Sequence, residues 1–68
     1  MNEDRAARIE MVRKVYQGMT GEDYGLDREA FVTDLLADLQ HWCAGEGLDF
    51  NTRLEMARVH YEEEASHA

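Results

Sequence analysis

Fifteen carboxylates, three histidines and a single cysteine are the groups in this chain that could do chemistry, and their spacing decides which kind. His60, Glu64 and His67 lie at i, i+4 and i+7, which sets all three on one face of a helix. Glu64-x-x-His67 also has the spacing by which carboxylate-bridged di-iron bundles hold metal, but those sites draw two such pairs and two further carboxylates from four helices. One pair in the last turn supplies a metal site only if a homodimer doubles it. The simpler reading is a solvated terminal turn, and no cofactor or metal is expected. Cys43 is no better placed. A nucleophilic thiolate needs a helix N-terminus or a cationic neighbour, whereas Cys43 falls near the C-terminus of a helical segment. His41, two residues earlier, does not share its face. Cys43 is expected to be a small buried hydrophobe, and the chain is expected not to be an enzyme.

The carboxylates matter more as a field than as reagents. Residues 1–20 hold four cations against three acids, a net of +1, whereas residues 21–68 hold twelve acids against Arg28, Arg53 and Arg58, a net of −9. Asp27, Asp34 and Asp38 recur at i, i+7 and i+11, read here as a stripe on the side of their helix away from Phe31 and Leu35. Glu22, Asp23 and Glu46 stand in the adjoining loops. Such a stripe can imitate a phosphate backbone and occupy a basic groove on another protein. It can equally be a solvated face that keeps a small protein soluble. Tyr24, in the same acidic loop, is either a lid over the core or a binding hot spot. The negative field argues against direct contact with nucleic acid or a membrane surface, despite the four cations of the first segment.

The elements that must position these groups are helical. The chain has no proline, and its glycines fall at 18, 21 and 25 and at 45 and 47, dividing it into three segments. In the first, Ile9, Val12, Tyr16 and Met19 form an apolar stripe widened by Met11 and Val15, predicting a helix over about residues 3–18. In the second, Phe31, Leu35, Leu39 and Trp42 share a face flanked by Val32, Leu36 and Cys43. Asp27 is the expected N-cap, Leu26 and Phe31 the arms of a hydrophobic staple, and Gly45 the C-terminal stop, giving residues 27–44. Its wide apolar face suggests a central helix touched by both neighbours. In the third, Asp49 again caps, and Phe50, Leu54, Ala57 and Tyr61 form the stripe, with Tyr61 expected in the core, giving residues 49–65. The fold expected is a small all-α, three-helix domain spanning 1–68. Its second and third helices form an antiparallel hairpin across a short Gly-rich turn, and the 18–26 loop is longer and less ordered.

One stretch carries a resemblance. Asp34-Leu35-Leu36-Ala37-Asp38-Leu39-Gln40-His41-Trp42-Cys43, then Gly47-Leu48-Asp49-Phe50, then Ala57-Arg58-Val59-His60-Tyr61 resembles a set of small uncharacterised helical proteins of bacteria, plasmids and phages. Their pattern is roughly D-L-L-x-D-L-x-H-x-C, G-x-D-F and A-x-x-H-Y-x-x-E. The resemblance covers about residues 30–64, brings no activity with it, and implies the hairpin, with His41 and His60 as hydrogen-bonded partners near its interface. It also implies a mobile-element setting, in which small acidic proteins act by binding a host or rival protein, anti-CRISPR inhibitors among them.

Together these readings predict a non-enzymatic, acidic protein-binding module. One unpaired cysteine and no apolar run of targeting or membrane-spanning length place it in the cytoplasm. Its expected partner is a basic host or rival protein that handles nucleic acid, with Glu22, Asp23, Tyr24, Asp27, Asp34 and Asp38 as the contact face. The second reading is a homo-oligomer, a homodimer in its simplest form, whose first-helix stripe Met11, Val12, Val15 and Met19 is interface rather than core.

Overall fold

The computed structural model of the chain describes residues 2–66. These form three helices, α1 (Asn2–Thr20), α2 (Arg28–Glu46) and α3 (Phe50–Ser66), with no strand among the described residues. The expected all-α class and the hairpin of α2 and α3 are both present. The chain divides into two compact units, Met1–Asp34 and Leu35–Ala68, with the boundary inside α2.

Local capping chemistry explains where the helices stop and start. α1 runs two residues past the expected end because Gly18 is absorbed into it and Gly21 takes the left-handed conformation, φ +80°. The Gly21 N–H donates to the Gln17 carbonyl at 2.9 Å, the single closing bond of an αL cap. α2 likewise overruns Gly45. Its stop is Gly47, at φ +72°. There the Leu48 N–H reaches the Cys43 carbonyl at 2.8 Å and the Gly47 N–H the Ala44 carbonyl at 3.4 Å, the paired bonds of a Schellman motif. At the other end of α2, Asp27 caps as expected, its Oδ1 accepting the Ala30 N–H at 3.0 Å. Asp49 stands at the same position before α3 and accepts the Thr52 hydroxyl at 2.6 Å.

The segment between α1 and α2, residues 21–27, is longer than the turn between α2 and α3, as expected, and is held by its own hydrogen bonds. Thr20 Oγ1 accepts the Glu22 N–H at 3.2 Å. Asp23 Oδ1 accepts the Gly25 N–H at 3.1 Å, and the Asp23 carbonyl accepts the Leu26 and Asp27 N–H groups at 3.1 and 3.2 Å. Thr20 and Asp23 therefore organise the turn between them.

The core is small. Among the described residues only Tyr24, Phe31 and Cys43 are buried, and α3 buries nothing. Cys43 is the buried hydrophobe its position suggested. Other core expectations fail. Leu26 is 87% exposed, so no staple closes over Phe31; Tyr24 covers it instead. Tyr61, expected in the core, is 71% exposed, and the broad apolar face of α2 leaves Val32, Leu36, Leu39 and Trp42 open.

The two glycines near the end of α2 should respond oppositely to the same substitution. A Cβ at Gly45 or Gly47 meets no atom within 4 Å, so only backbone conformation decides. Gly45→Ala, inside the helix, is expected to stabilise by about 0.5 kcal/mol, and Gly47→Ala to destabilise by about 1 kcal/mol because of its positive φ. Denaturant unfolding of the two variants checks this; effects of the same sign would contradict the assigned stop.

Candidate interaction surface

In the N-terminal unit an aromatic triangle holds the acidic loop down. Tyr16 from α1, Tyr24 from the loop and Phe31 from α2 lie with ring centroids 5.4–6.1 Å apart. The Tyr16–Phe31 pair is edge-to-face, the arrangement that aligns ring quadrupoles favourably. Burying Tyr24 to 1% exposure requires a partner for its hydroxyl, and the hydroxyl donates to Asp34 Oδ2 at 2.8 Å. A second polar cluster stands on α1. Nε and Nη2 of Arg13 both donate to Glu10 Oε1, at 2.9 and 2.6 Å, and its Nη1 donates to Gln17 Oε1 at 3.0 Å. That bond to Arg13 holds the Glu10 carboxyl below the usual carboxylate range, and the same bond raises the guanidinium. The charge of Asp23 adds to the rise in Arg13. Arg13 also sits close to the loop: a Cβ on Gly25 would stand 3.2 Å from Asp23 Oδ1 and 3.8 Å from Arg13 Nη1.

These bonds redistribute the six residues expected to form one contact face. Tyr24 is not at the edge of a surface but at the centre of the small core. Asp34 does not point away from Phe31. Three residues separate them, which makes them helix neighbours, and Asp34 is half-buried beneath Tyr24. Asp27 spends an oxygen on the N-cap and Asp23 an oxygen on the turn. Glu22 and Asp38 are exposed. An acidic surface exists, but four of the six expected contact residues also make bonds within the fold.

His41 and His60 are both exposed rather than set within the hairpin interface. Of the proposed metal face His60, Glu64 and His67, the last lies outside the described residues, and among the described residues no group of three or more ligating side chains could hold a metal. No described helix is long and apolar enough to cross a membrane.

Sequence reasoning offered the α1 stripe Met11, Val12, Val15 and Met19 as an interface and passed over the apolar exterior of the rest of the chain. Among the described residues fifteen large apolar side chains are exposed, seven in the N-terminal unit and eight in the C-terminal one. The former include Met11, Val12, Val15 and Met19 of α1, and the latter include Trp42, 60% exposed. Scattered exposed leucines are ordinary, but an exposed tryptophan and methionine-rich stripe on helices with so little core are not. The available signal was length: a chain of 68 residues buries only about 60% of the surface it exposes when unfolded.

With that geometry in view, comparison with known proteins returns no matching family, curated protein or solved structure. Fold and surface therefore define the class alone, a small all-α protein with a helical hairpin.

The Tyr24–Asp34 bond has a pH signature. The side-chain interaction with Thr20 lowers the Tyr24 phenol pKa, but burial, the bond to Asp34 and the charges of Asp34 and Glu22 outweigh it and leave the phenol above the ordinary tyrosine value of 10.0. A group whose folded pKa is raised keeps its full stabilising effect below its unfolded pKa and loses it as pH climbs through the folded one. Tyr24→Phe should therefore lower the melting temperature by about 5 °C at neutral pH, and should lose less stability than the wild type above pH ~10. Thermal scans of both proteins across that range check it; parallel curves would show that Asp34 does not hold the hydroxyl.

Proposed function

We propose that this chain is a non-enzymatic protein-association module that works through its exposed apolar helical faces. The observation that carries this reading is the imbalance, among the described residues, between three buried side chains and fifteen large exposed apolar ones. Surfaces of that composition are characteristic of interfaces, where an exposed aromatic in an apolar surround supplies most of the affinity. Trp42 is the side chain in the C-terminal unit best suited to that role. Methionines such as Met11 and Met19 suit a surface that adapts to its partner.

A second reading rests on a different observation, the net −9 of residues 21–68. In it the acidic surface steers a basic protein, in its narrowest form a nucleic-acid-handling protein whose groove is blocked by a mobile-element inhibitor. Glu22 and Asp38 are the residues to test, because reversing Asp34 would break the Tyr24 bond and disturb the fold itself.

The readings separate by variant and by salt. Affinity recovery from host lysate should yield a stoichiometric partner, a second copy included. Trp42→Ala should lose it, while a Glu22→Lys, Asp38→Lys double variant should keep it at high salt. The acidic reading expects the reverse, with release on adding salt. A chain that recovers nothing and remains monomeric would overturn association altogether.

A further inference from the structure

We infer that the exposed apolar face of the α2–α3 hairpin is covered by a second copy of this chain, two hairpins closing into a four-helix bundle. The inference rests on the association reading above and names its partner. Spacing is the first support. Along α3, Phe50, Leu54, Ala57 and Tyr61 are separated by four, three and four residues, and along α2, Leu36, Leu39 and Cys43 by three and four. This alternation marks helices that interlock side chains along a seam, and it is how paired hairpins build bundles. A closed hairpin would hide these seams, yet Leu36, Leu39, Leu54 and Tyr61 all remain at least two-fifths exposed.

Size is the second support. The chain's 68 residues fall short of the roughly 70–80 below which one core rarely suffices without a disulfide, a metal or a partner. The chain's single cysteine excludes a disulfide within it.

Area is the third. Leu36, Leu39, Trp42, Leu54 and Tyr61 are on average about half exposed. With full surfaces of roughly 200 Å² for side chains of this size, they leave on the order of 500 Å² open. A standard interface takes about 800 Å² from each partner, about 65% of it apolar in homodimers. The five side chains thus match the apolar share that one copy must contribute. Met56 and Val59 fall on the opposite side of α3 by helical spacing and lie outside the seam.

Charge gives the bundle a distinguishing mark. Each copy carries a net −8, so like charge opposes pairing and added salt should tighten it. A complex with a basic partner would weaken instead.

Sedimentation equilibrium of the full chain tests this from about 1 to 100 µM, at about 50 and 500 mM salt. The expected species is twice the 7.9 kDa chain mass, with tighter association at the higher salt. Tyr61→Lys should weaken pairing about tenfold or more, whereas Val59→Lys, the same charge on the far side of α3, should leave it unchanged. A wild type that stays monomeric at high salt, or equal effects of the two variants, would overturn the bundle. If Tyr61→Lys loses helix, hydrogen exchange of the wild type decides: amides of residues 36–61 should slow as concentration rises, and exchange independent of concentration would overturn it. A monomer that captures a different protein through Trp42 sinks the bundle and leaves the association reading intact; a monomer that captures nothing sinks both.

Discussion

Apolar surface that cannot be hidden is the constraint from which the rest of this molecule follows. A chain of 68 residues buries only about 60% of what it exposes when unfolded, and here burial is concentrated in three side chains. Ordering three helices costs on the order of 1–2 kcal/mol of backbone entropy per residue. Capping and turn bonds offset part of that cost at each helix end, and Asp27, Gly21, Gly47 and Asp23 supply them. They cannot replace a core. Within Leu35–Ala68 the shortfall is sharpest, because α3 is a 17-residue helix with no buried residue. Helices of that length are marginal in water without a packed face.

The N-terminal unit answers the same constraint differently. It concentrates its burial in one aromatic triangle and ties that triangle to a carboxylate, so that Tyr24 serves at once as loop anchor and as core. A buried hydroxyl without Asp34 would carry the cost of an unmet donor. This arrangement also explains why acidity and fold are entangled here. Asp23, Asp27 and Asp34 each hold backbone or side-chain donors, so their charges are by-products of structural work before they are a surface property.

Much of the fold was legible because helix signals are local. Asp27 and Asp49 marked two helix starts, and the apolar periodicity marked all three helices. Two glycines within three residues left the end of α2 ambiguous, and only a left-handed φ distinguishes Gly47 from Gly45. Tertiary facts were less legible. The neighbourhood of Phe31 and Asp34 was present in their spacing of three but was masked by treating the aspartates as one stripe. Tyr61 completes an apolar stripe, and a stripe says which way a side chain faces without saying what lies opposite. For Tyr61 the chain itself places nothing there that buries it.

That last distinction bears on how charge and apolar surface should be weighed against each other. Long-range charge repels a second copy and attracts a basic stranger, but at physiological salt it decays over about 8 Å. Burial of apolar area acts at contact and is worth roughly 25 cal/mol per Å². The five exposed side chains of the hairpin seam, at on the order of 500 Å² per copy, therefore represent a gross drive of order 10 kcal/mol per copy. Repulsion between any one pair of solvated charges is a kilocalorie-scale effect at 4 Å in water and less beyond, and it accumulates over the net −8 of each copy. In the proposed bundle contact chemistry supplies the pairing, and the field bears on how fast copies meet and how strongly salt assists them.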